Sequence, residues 1–339
     1  MLETHETECF QHSERVNTTI IEKVLLRQVS PRDAKWDDRR AESDRVRDLY
    51  KGTILDGLSE RINGCSGRLE FGYDIADDGI PKLKLRSAFF CRVRTCPVCQ
   101  WRRSLVWRAK AFQFLPKVVE AYPKHRFIFL TLTVKNCQIG DLRTTLTKMN
   151  KAWAKLILRK KWPADGWIRS VEVTRGKDDS AHPHFHCLLM VKPSYFKTPN
   201  YLSQASWTEL WKDVMDIDYD PIVDVRAVKA KKDGTLNTLD AILETFKYSV
   251  KPSDLIGDHD KEIQEKDREW LIELTTQLHK TRAVATGGIL KEYLKDLEND
   301  EPVDLIHVNE DGEQEEATGI SVIFDWQQRC KKYLMATDE

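Results

Sequence analysis

Apolar residues recur at two spacings along the chain, and these spacings predict its secondary structure. Apolar side chains three or four residues apart predict helices at 37–61, 100–119, 138–160, 203–215, 238–250, 260–278 and 290–297. Short alternating or continuous apolar runs bounded by turn residues predict strands at 68–73, 82–90, 126–134, 166–174, 181–191 and 221–228. The pattern indicates an α+β fold, in which the segment 126–134, apolar on both faces, is a central strand.

One of these strands begins with three alternating histidines. In a strand, side chains two residues apart share a face, so His182, His184 and His186 are expected on one side. Phe185 and Cys187 then face the opposite way, into a core. Two neutral imidazoles spaced about 6–7 Å apart on a rigid strand can converge on one divalent cation. The alternative is a set of half-buried or solvent-facing histidines with no ligand.

The preceding strand brings a carboxylate to the same place. If 166–174 and 181–191 pair antiparallel about a turn near residue 178, Glu172 lies opposite His184 on the histidine face. A register slip of one residue would turn the Glu172 side chain to the opposite face of the sheet. The alternative interpretation is that Glu172 forms a salt bridge within the sheet and binds no metal. A His-His-Glu set leaves positions of an octahedral ion open for phosphate and water.

Four of the eight cysteines are grouped around a predicted β-hairpin. Cys96 and Cys99 form a CxxC pair, and Cys65 and Cys91 flank the strands 68–73 and 82–90, so the hairpin brings them together. Four thiolates at about 2.3 Å around a tetrahedral Zn²⁺ would hold such a small segment together. We therefore expect structural zinc, with a redox-active CxxC pair as the alternative.

Basic residues are concentrated directly around the CxxC pair, although the chain as a whole is balanced. Lys+Arg and Asp+Glu number 54 each, so net charge does not indicate a polyanionic partner. Between residues 92 and 110, however, basic side chains alternate with Trp101 and Trp107 and no acid intervenes. Cations beside aromatic rings are typical of single-stranded DNA binding, whereas a solvated helix face is the alternative. The candidate DNA contacts in this segment are Arg92, Arg94, Arg102 and Arg103.

A tyrosine near the end of the helix predicted at 238–250 follows a carboxylate by one turn. Glu244 and Tyr248 are four residues apart and share a helix face. Lys247 and Lys251 flank the tyrosine, where they can favour its phenolate and bind a phosphate. A structural tyrosine is the alternative. Combined with a cation site, the arrangement fits attack of a tyrosine on a metal-polarised phosphodiester, which leaves a covalent phosphotyrosine.

These motifs, taken in order, resemble the replication initiators of small rolling-circle bacterial plasmids, which belong to the HUH endonuclease superfamily. The resemblance extends over roughly residues 65–255, and its matching stretches are Phe90–Ser104, Phe129–Val134, His182–Leu189 and Lys247–Lys251. It implies a central antiparallel sheet flanked by helices and a nicking activity that depends on Mg²⁺ or Mn²⁺. Tyr248 would attack the origin DNA, carry its 5′ phosphate and leave a 3′ hydroxyl as primer.

The same resemblance assigns roles to individual residues. His184 and His186 match the two-histidine motif, while His182 is either a third metal ligand or a residue that supports one. Glu244 resembles the glutamate that activates water to end a round of replication. The implied partners are plasmid origin DNA, presented as a single-stranded hairpin or nick site, and the host helicase and polymerase, with a homodimer as an open alternative to a monomer.

The composition shifts predict four segments. They are a charged N-terminal arm and helix (1–61), a cysteine-rich zinc-binding segment (62–105), the nicking and joining domain (106–257) and a charged helical extension with an acidic linker (258–339). No run approaches the roughly 18–20 apolar residues of a membrane span, and the N-terminus is charged, so a cytoplasmic protein is expected. The competing functions are an HUH transposase and a zinc-stabilised DNA-binding regulator. A metallophosphatase is disfavoured because aspartates are scarce around the histidines.

Overall fold

The computed structural model describes residues 24–75, 81–228, 265–295, 305–307 and 319–336. The chain divides into two compact units, one of residues 1–103 and 304–339 and the other of residues 104–303. Each unit contains an antiparallel sheet with helices beside it, which confirms the predicted α+β class. Among the helices described, none combines the length and the apolar character that crossing a membrane requires.

The secondary structure is as follows, in chain order. The helices are α1 (Leu26–Val29), α2 (Lys35–Tyr50), α3 (Asp56–Asn63), α4 (Pro97–Ala121), α5 (Leu142–Leu156), α6 (Gln204–Met215), α7 (Glu265–Leu278) and α8 (Ile289–Lys295). Short 3-10 turns lie at Pro31–Ala34, Ile139–Asp141 and Pro193–Phe196. The strands are β1 (Arg68–Ile75), β2 (Pro81–Ala88), β3 (Arg126–Thr133), β4 (Ala164–Arg175), β5 (Ala181–Val191), β6 (Val223–Ala227), β7 (Val284–Gly288), β8 (Ile320–Gln327) and β9 (Lys332–Met335).

The first unit is assembled from both ends of the chain. Its sheet has the order β2-β1-β8-β9, so the C-terminal strand β8 pairs directly with β1 of the predicted hairpin. Phe71 and Phe324 pack edge to face in its core at 6.0 Å between ring centroids. The buried Tyr333 hydroxyl donates to the Ser66 carbonyl at 2.7 Å. Strand β8 lies inside this sheet, between β1 and β9.

The second unit holds a five-stranded sheet of order β6-β3-β5-β4-β7, in which all neighbouring strands are antiparallel. The prediction that 126–134 forms a central strand is confirmed, since β3 lies between β6 and β5. One face packs on α5 and α6, where Phe185 contacts Trp153 and Trp211. On the opposite face, α4 covers one half through residues such as Phe114, which packs with Leu188. The other half of that face carries the histidines.

Two parts of the fold differ from the expected pattern. The helix predicted at 37–61 is two helices, α2 and α3, separated by a turn in which Gly52 has a φ of +72°. A left-handed residue ends a helix, and glycine adopts that conformation without a steric penalty. Ile54, which lies in this turn and not in a helix, is 87% exposed. Strand β7 was not predicted, because its Val-Ala-Thr-Gly-Gly sequence is short and ends in two glycines, which are rare in strands.

Candidate active site and metal centres

The register between β4 and β5 places a carboxylate among the histidines. Glu172 pairs directly with His184, and Ser170 pairs with His186, so the predicted register is confirmed. Directly paired residues of an antiparallel ladder project from the same face. Phe185 and Cys187 face the other way and are fully buried, as the alternation predicted.

The two histidines and the glutamate converge on one point. Glu172 Oε2 lies 2.9 Å from His184 Nε2 and 2.6 Å from His186 Nε2. All three residues are buried, each with less than a tenth of its surface exposed. Two ligand atoms in adjacent positions of an octahedral ion, each about 2.1 Å from it, lie about 3 Å apart. The spacing of these donor atoms therefore fits a shared divalent cation.

The contacts of the two Nδ1 atoms, on the ring edges away from Glu172, are also compatible with a shared divalent cation. His184 Nδ1 donates to the His182 carbonyl at 3.2 Å, and His186 Nδ1 lies 3.4 Å from Thr131 Oγ1. A proton on Nδ1 leaves a neutral imidazole with its Nε2 lone pair facing the carboxylate. In that tautomer the imidazole and Glu172 are both acceptors, and a shared cation would bring them together. Without an ion, the two Nε2 atoms hydrogen-bond to Glu172 Oε2. The donor set, two imidazole nitrogens and one carboxylate, suits Mn²⁺ more closely than the oxygen-only preference of Mg²⁺.

Electrostatics keep the carboxylate ionised. Burial by itself raises the pKa of Glu172, but the hydrogen bonds and charges of His184 and His186 outweigh it and hold that pKa well below its ordinary value. Glu172 is therefore available as an anionic ligand at neutral pH.

His182 stands beside the cluster rather than within it. Its ring centroid lies 5.4 Å from that of His184, and its carbonyl accepts the His184 hydrogen bond. The atoms that lie within 4.8 Å of one another come from Glu172, His184 and His186. Burial and the charge of His184 lower the pKa of His182, while Glu172 raises it. Its backbone thus orients a neighbouring ring, and ligation by its own imidazole remains a prediction.

Two supporting residues were missed in the sequence. Thr131 on β3 pairs with His186 and reaches its ring, and the Phe129 ring stacks on that of His186 at 5.6 Å between centroids. The signal that could have identified them is the alternation of Phe129, Thr131 and Thr133, which places all three on one face of β3. The apolar residues that surround the two threonines predict burial of both faces and mask this polar spacing.

The four grouped cysteines form a second centre. The sulfur of Cys65 lies 3.6 Å from that of Cys99 and 3.7 Å from that of Cys96, and Cys91 lies 3.6 Å from Cys99. Four ligands at about 2.3 Å from a tetrahedral Zn²⁺ are about 3.8 Å apart, whereas a disulfide requires about 2.0 Å. All four are buried and free of disulfides. The predicted convergence of the hairpin ends on the CxxC pair is confirmed, and its geometry is compatible with zinc.

Backbone amides and one hydroxyl surround these sulfurs. The Arg92 amide donates to Cys99 Sγ at 3.3 Å, and the Cys91 amide donates to Cys65 Sγ at 3.5 Å. Ser43 Oγ on α2 lies 3.5 Å from Cys96 Sγ. Such contacts to thiolates orient the ligands and spread their negative charge. The centre thereby ties α2, the hairpin and the start of α4 together.

Among the basic residues predicted to bind DNA, Arg102 is placed differently from the expectation. It is 3% exposed, and its guanidinium donates to the carbonyls of Leu305 and Ile306 at 2.7 and 2.8 Å. The same group lies over the rings of Trp36 and Trp101. Arg102 therefore holds the C-terminal segment onto the first unit. Its guanidinium is enclosed because residues distant in the sequence cover this face of α4, so it presents no surface to DNA.

The other three arginines differ in exposure. Arg92 is exposed, and the half-buried Arg103 donates to its carbonyl at 2.7 Å. Burial and the neighbouring charge of Arg103 lower the pKa of Arg94 to about 10. DNA binding by Arg92, Arg94 and Arg103 stays a prediction.

The catalytic candidates Glu244 and Tyr248, together with Lys247 and Lys251, lie outside the described residues. Their assignment continues to depend on the sequence.

Comparison with known proteins gives several long matches. A family model described as replication protein matches residues 82–334. Protein rep of Streptococcus pneumoniae serotype 2 (strain D39 / NCTC 7466) is 33% identical over 323 residues, which cover 93% of this chain and 96% of that protein. Protein rep of Lentilactobacillus hilgardii is 35% identical over 321 residues, with 92% and 99% covered. A replication protein of Staphylococcus aureus is 38% identical over 226 residues, with 65% and 94% covered. No solved structure matches the chain.

Proposed function

Because the chain belongs to the replication protein family of plasmid replication initiators, we propose that it starts rolling-circle replication by nicking one strand of the plasmid origin. The observation that carries this proposal is the contact of Glu172 Oε2 with both His184 Nε2 and His186 Nε2 on one sheet face. A divalent ion held by these three residues would polarise a phosphodiester and neutralise charge that develops on it.

Tyr248 is the proposed nucleophile. Its phenolic oxygen forms a bond to the scissile phosphorus while the bond from phosphorus to the 3′ oxygen breaks. The phenol gives up its proton to solvent, and the departing 3′ oxygen takes one up. The products are a 5′ phosphate bound to the enzyme and a free 3′ hydroxyl that primes synthesis. Lys247 and Lys251 favour the phenolate and hold the phosphate by charge.

Glu244 supplies the step that ends a round. Its carboxylate, four residues before Tyr248 in the sequence, is proposed to take a proton from water, which then attacks the regenerated origin junction. Hydrolysis of the junction frees a 3′ hydroxyl on the displaced strand. This hydroxyl attacks the phosphate held by Tyr248, which closes the displaced circle and restores the phenol, so one tyrosine suffices. The names of the relatives, which refer to replication, favour initiation over the transposase alternative.

The zinc centre has a structural role in this proposal. Four buried thiolates with no open position leave no room for a reacting group, as is typical of structural zinc. The exposed Arg92 and the neighbouring Arg94 and Arg103 are proposed to contact DNA phosphates beside this centre.

The test is a cleavage assay on labelled single-stranded oligonucleotides that tile the replicon encoding this chain, with Mg²⁺, Mn²⁺ or EDTA. We expect one strand to be cut in the presence of metal and a protein–DNA adduct to persist on a denaturing gel. Tyr248→Phe should abolish the adduct, and mass spectrometry should locate it on Tyr248. Tyr201→Phe, which alters a 54% exposed tyrosine, is the control. An undiminished adduct with Tyr248→Phe would reject the assignment.

A further inference from the structure

The sheet face that carries the metal-ligand candidates continues beyond them, across β3 to β6. His186 pairs with Thr131, and Thr131 pairs in turn with Asp224 on β6. Cross-strand partners share a face, so Asp224 lies on the same side as the ligands, two strands from His186. Val223, its neighbour along β6, is 1% exposed and anchors the strand on the opposite side.

Two residues further along β6, Arg226 lies on this face as well. It pairs with Phe129, whose ring stacks on that of His186. Strand alternation gives Arg226 and Asp224 the same orientation, and Arg226 Nε lies 2.8 Å from Asp224 Oδ2. The arginine side chain is nevertheless 77% exposed. The positively charged guanidinium of Arg226 is therefore exposed to solvent on the sheet face that carries the metal-ligand candidates.

The ion pair between Arg226 and Asp224 contributes little to the stability of the fold. Exposed ion pairs contribute about 0–1 kcal/mol, because water screens the charges and both side chains lose freedom. A guanidinium, by contrast, presents a planar set of donors that matches the oxygens of a phosphate. An incoming phosphate can take the place of Asp224 at little cost.

We propose that Arg226 is a positioning residue that binds a backbone phosphate of the single strand adjacent to the scissile phosphate. Two strand spacings of about 4.8 Å, together with two residues of about 3.3 Å each along the strand, place the backbone of Arg226 about 12 Å from that of His186. That offset places it at a neighbouring phosphate, not at the one attacked. Asp224 holds the guanidinium in place until DNA arrives. This inference rests on the proposed function, because it assumes that DNA crosses this face.

The experiment compares Arg226→Ala with Arg159→Ala in the full chain. Arg159 pairs with Asp213 on α6 and is 47% exposed, which makes it a matched arginine–aspartate pair on the helix-covered side of the sheet. Binding of a fluorescent (dT)20 strand is measured by anisotropy across a series of salt concentrations. Loss of one phosphate contact should weaken binding about tenfold and reduce the salt slope by about 0.7. Arg159→Ala should change neither.

A second measurement identifies the contact. In the cleavage assay, Arg226→Ala should raise KM and leave kcat nearly unchanged, and Arg226→Lys should restore part of the loss. Replacing one phosphate beside the nick site with a neutral methylphosphonate should weaken wild-type binding but add nothing in Arg226→Ala. Equal binding, salt slope and KM for Arg226→Ala and wild type would overturn the inference. If the wild type binds (dT)20 but cuts no strand, the proposed function fails, and the salt slopes still decide whether Arg226 contacts phosphate.

Discussion

Cys96 offers the sharpest test of the proposed zinc centre. Its side chain is fully buried, 3.7 Å from Cys65 Sγ and 3.5 Å from Ser43 Oγ. Cys96→Ser keeps the size of the side chain but replaces a thiolate ligand with a hydroxyl, which is a poor ligand for Zn²⁺. The substitution therefore tests the metal with little disturbance of the packing.

The expected loss is large relative to the stability of a domain. Structural Zn²⁺ sites in zinc-finger peptides bind with about 10–16 kcal/mol at pH 7. A natural domain is stable by only about 5–15 kcal/mol in total. Because the centre joins α2, the hairpin and α4, loss of the metal should unfold the first unit. We expect Cys96→Ser to carry less than one equivalent of zinc and to lose the unfolding transition of this unit.

The assay combines zinc content by mass spectrometry with urea unfolding and limited proteolysis. The control is Cys137→Ser, because Cys137 is a half-buried cysteine without a disulfide that belongs to the second unit and is not a member of the four-cysteine cluster. It should retain the zinc and the midpoint of the wild type. If Cys96→Ser also kept one equivalent of zinc and an unchanged midpoint, the four cysteines would not form a zinc site.

Three further substitutions test other parts of the structure. Trp211→Phe removes the donor that lies 2.8 Å from the buried Thr133 carbonyl, so urea unfolding should show a loss of about 1–3 kcal/mol; an unchanged midpoint would deny that bond a role. Gly288→Ala should cost more than 1 kcal/mol in the same assay, because φ is +58° there and a Cβ would lie 2.1 Å from the Asp165 carbonyl oxygen. Glu244→Ala should preserve nicking but accumulate multimeric plasmid products on gels, and normal monomer release would reject its role in activating water.

The histidine strand and its carboxylate were predictable because they depend on local rules. Strand alternation places His184 and His186 on one face, and the short turn between β4 and β5 fixes Glu172 opposite His184. The cysteine cluster followed similarly, from the spacing of Cys96 and Cys99 and from the hairpin that brings the other two cysteines to them. Each of these predictions concerns residues that are close in sequence or joined by a tight turn.

Features that depend on distant segments could not be predicted. Residue 68 pairs with residue 325 in the first sheet, and the apolar pattern of β8 does not specify its partner. Arg102 belongs to a basic run that resembles a DNA-binding surface, yet Trp36 and the carbonyl of Leu305 enclose it. A side-chain pattern indicates which face of an element is polar, but tertiary packing decides which polar residues stay in solvent. The turn at Gly52 likewise interrupted an apolar stripe that continued through it.

The central claim is that Glu172, His184 and His186 together hold one divalent ion. The most direct measurement is a Mn²⁺ titration of the zinc-loaded chain, followed by electron paramagnetic resonance, for wild type and for Glu172→Gln, which keeps the shape but removes the charge. The wild type should bind one Mn²⁺ per chain, with nitrogen couplings from two imidazoles, and Glu172→Gln should bind it at least tenfold more weakly. Equal Mn²⁺ affinity in both proteins, or a bound ion without imidazole couplings, would contradict the site.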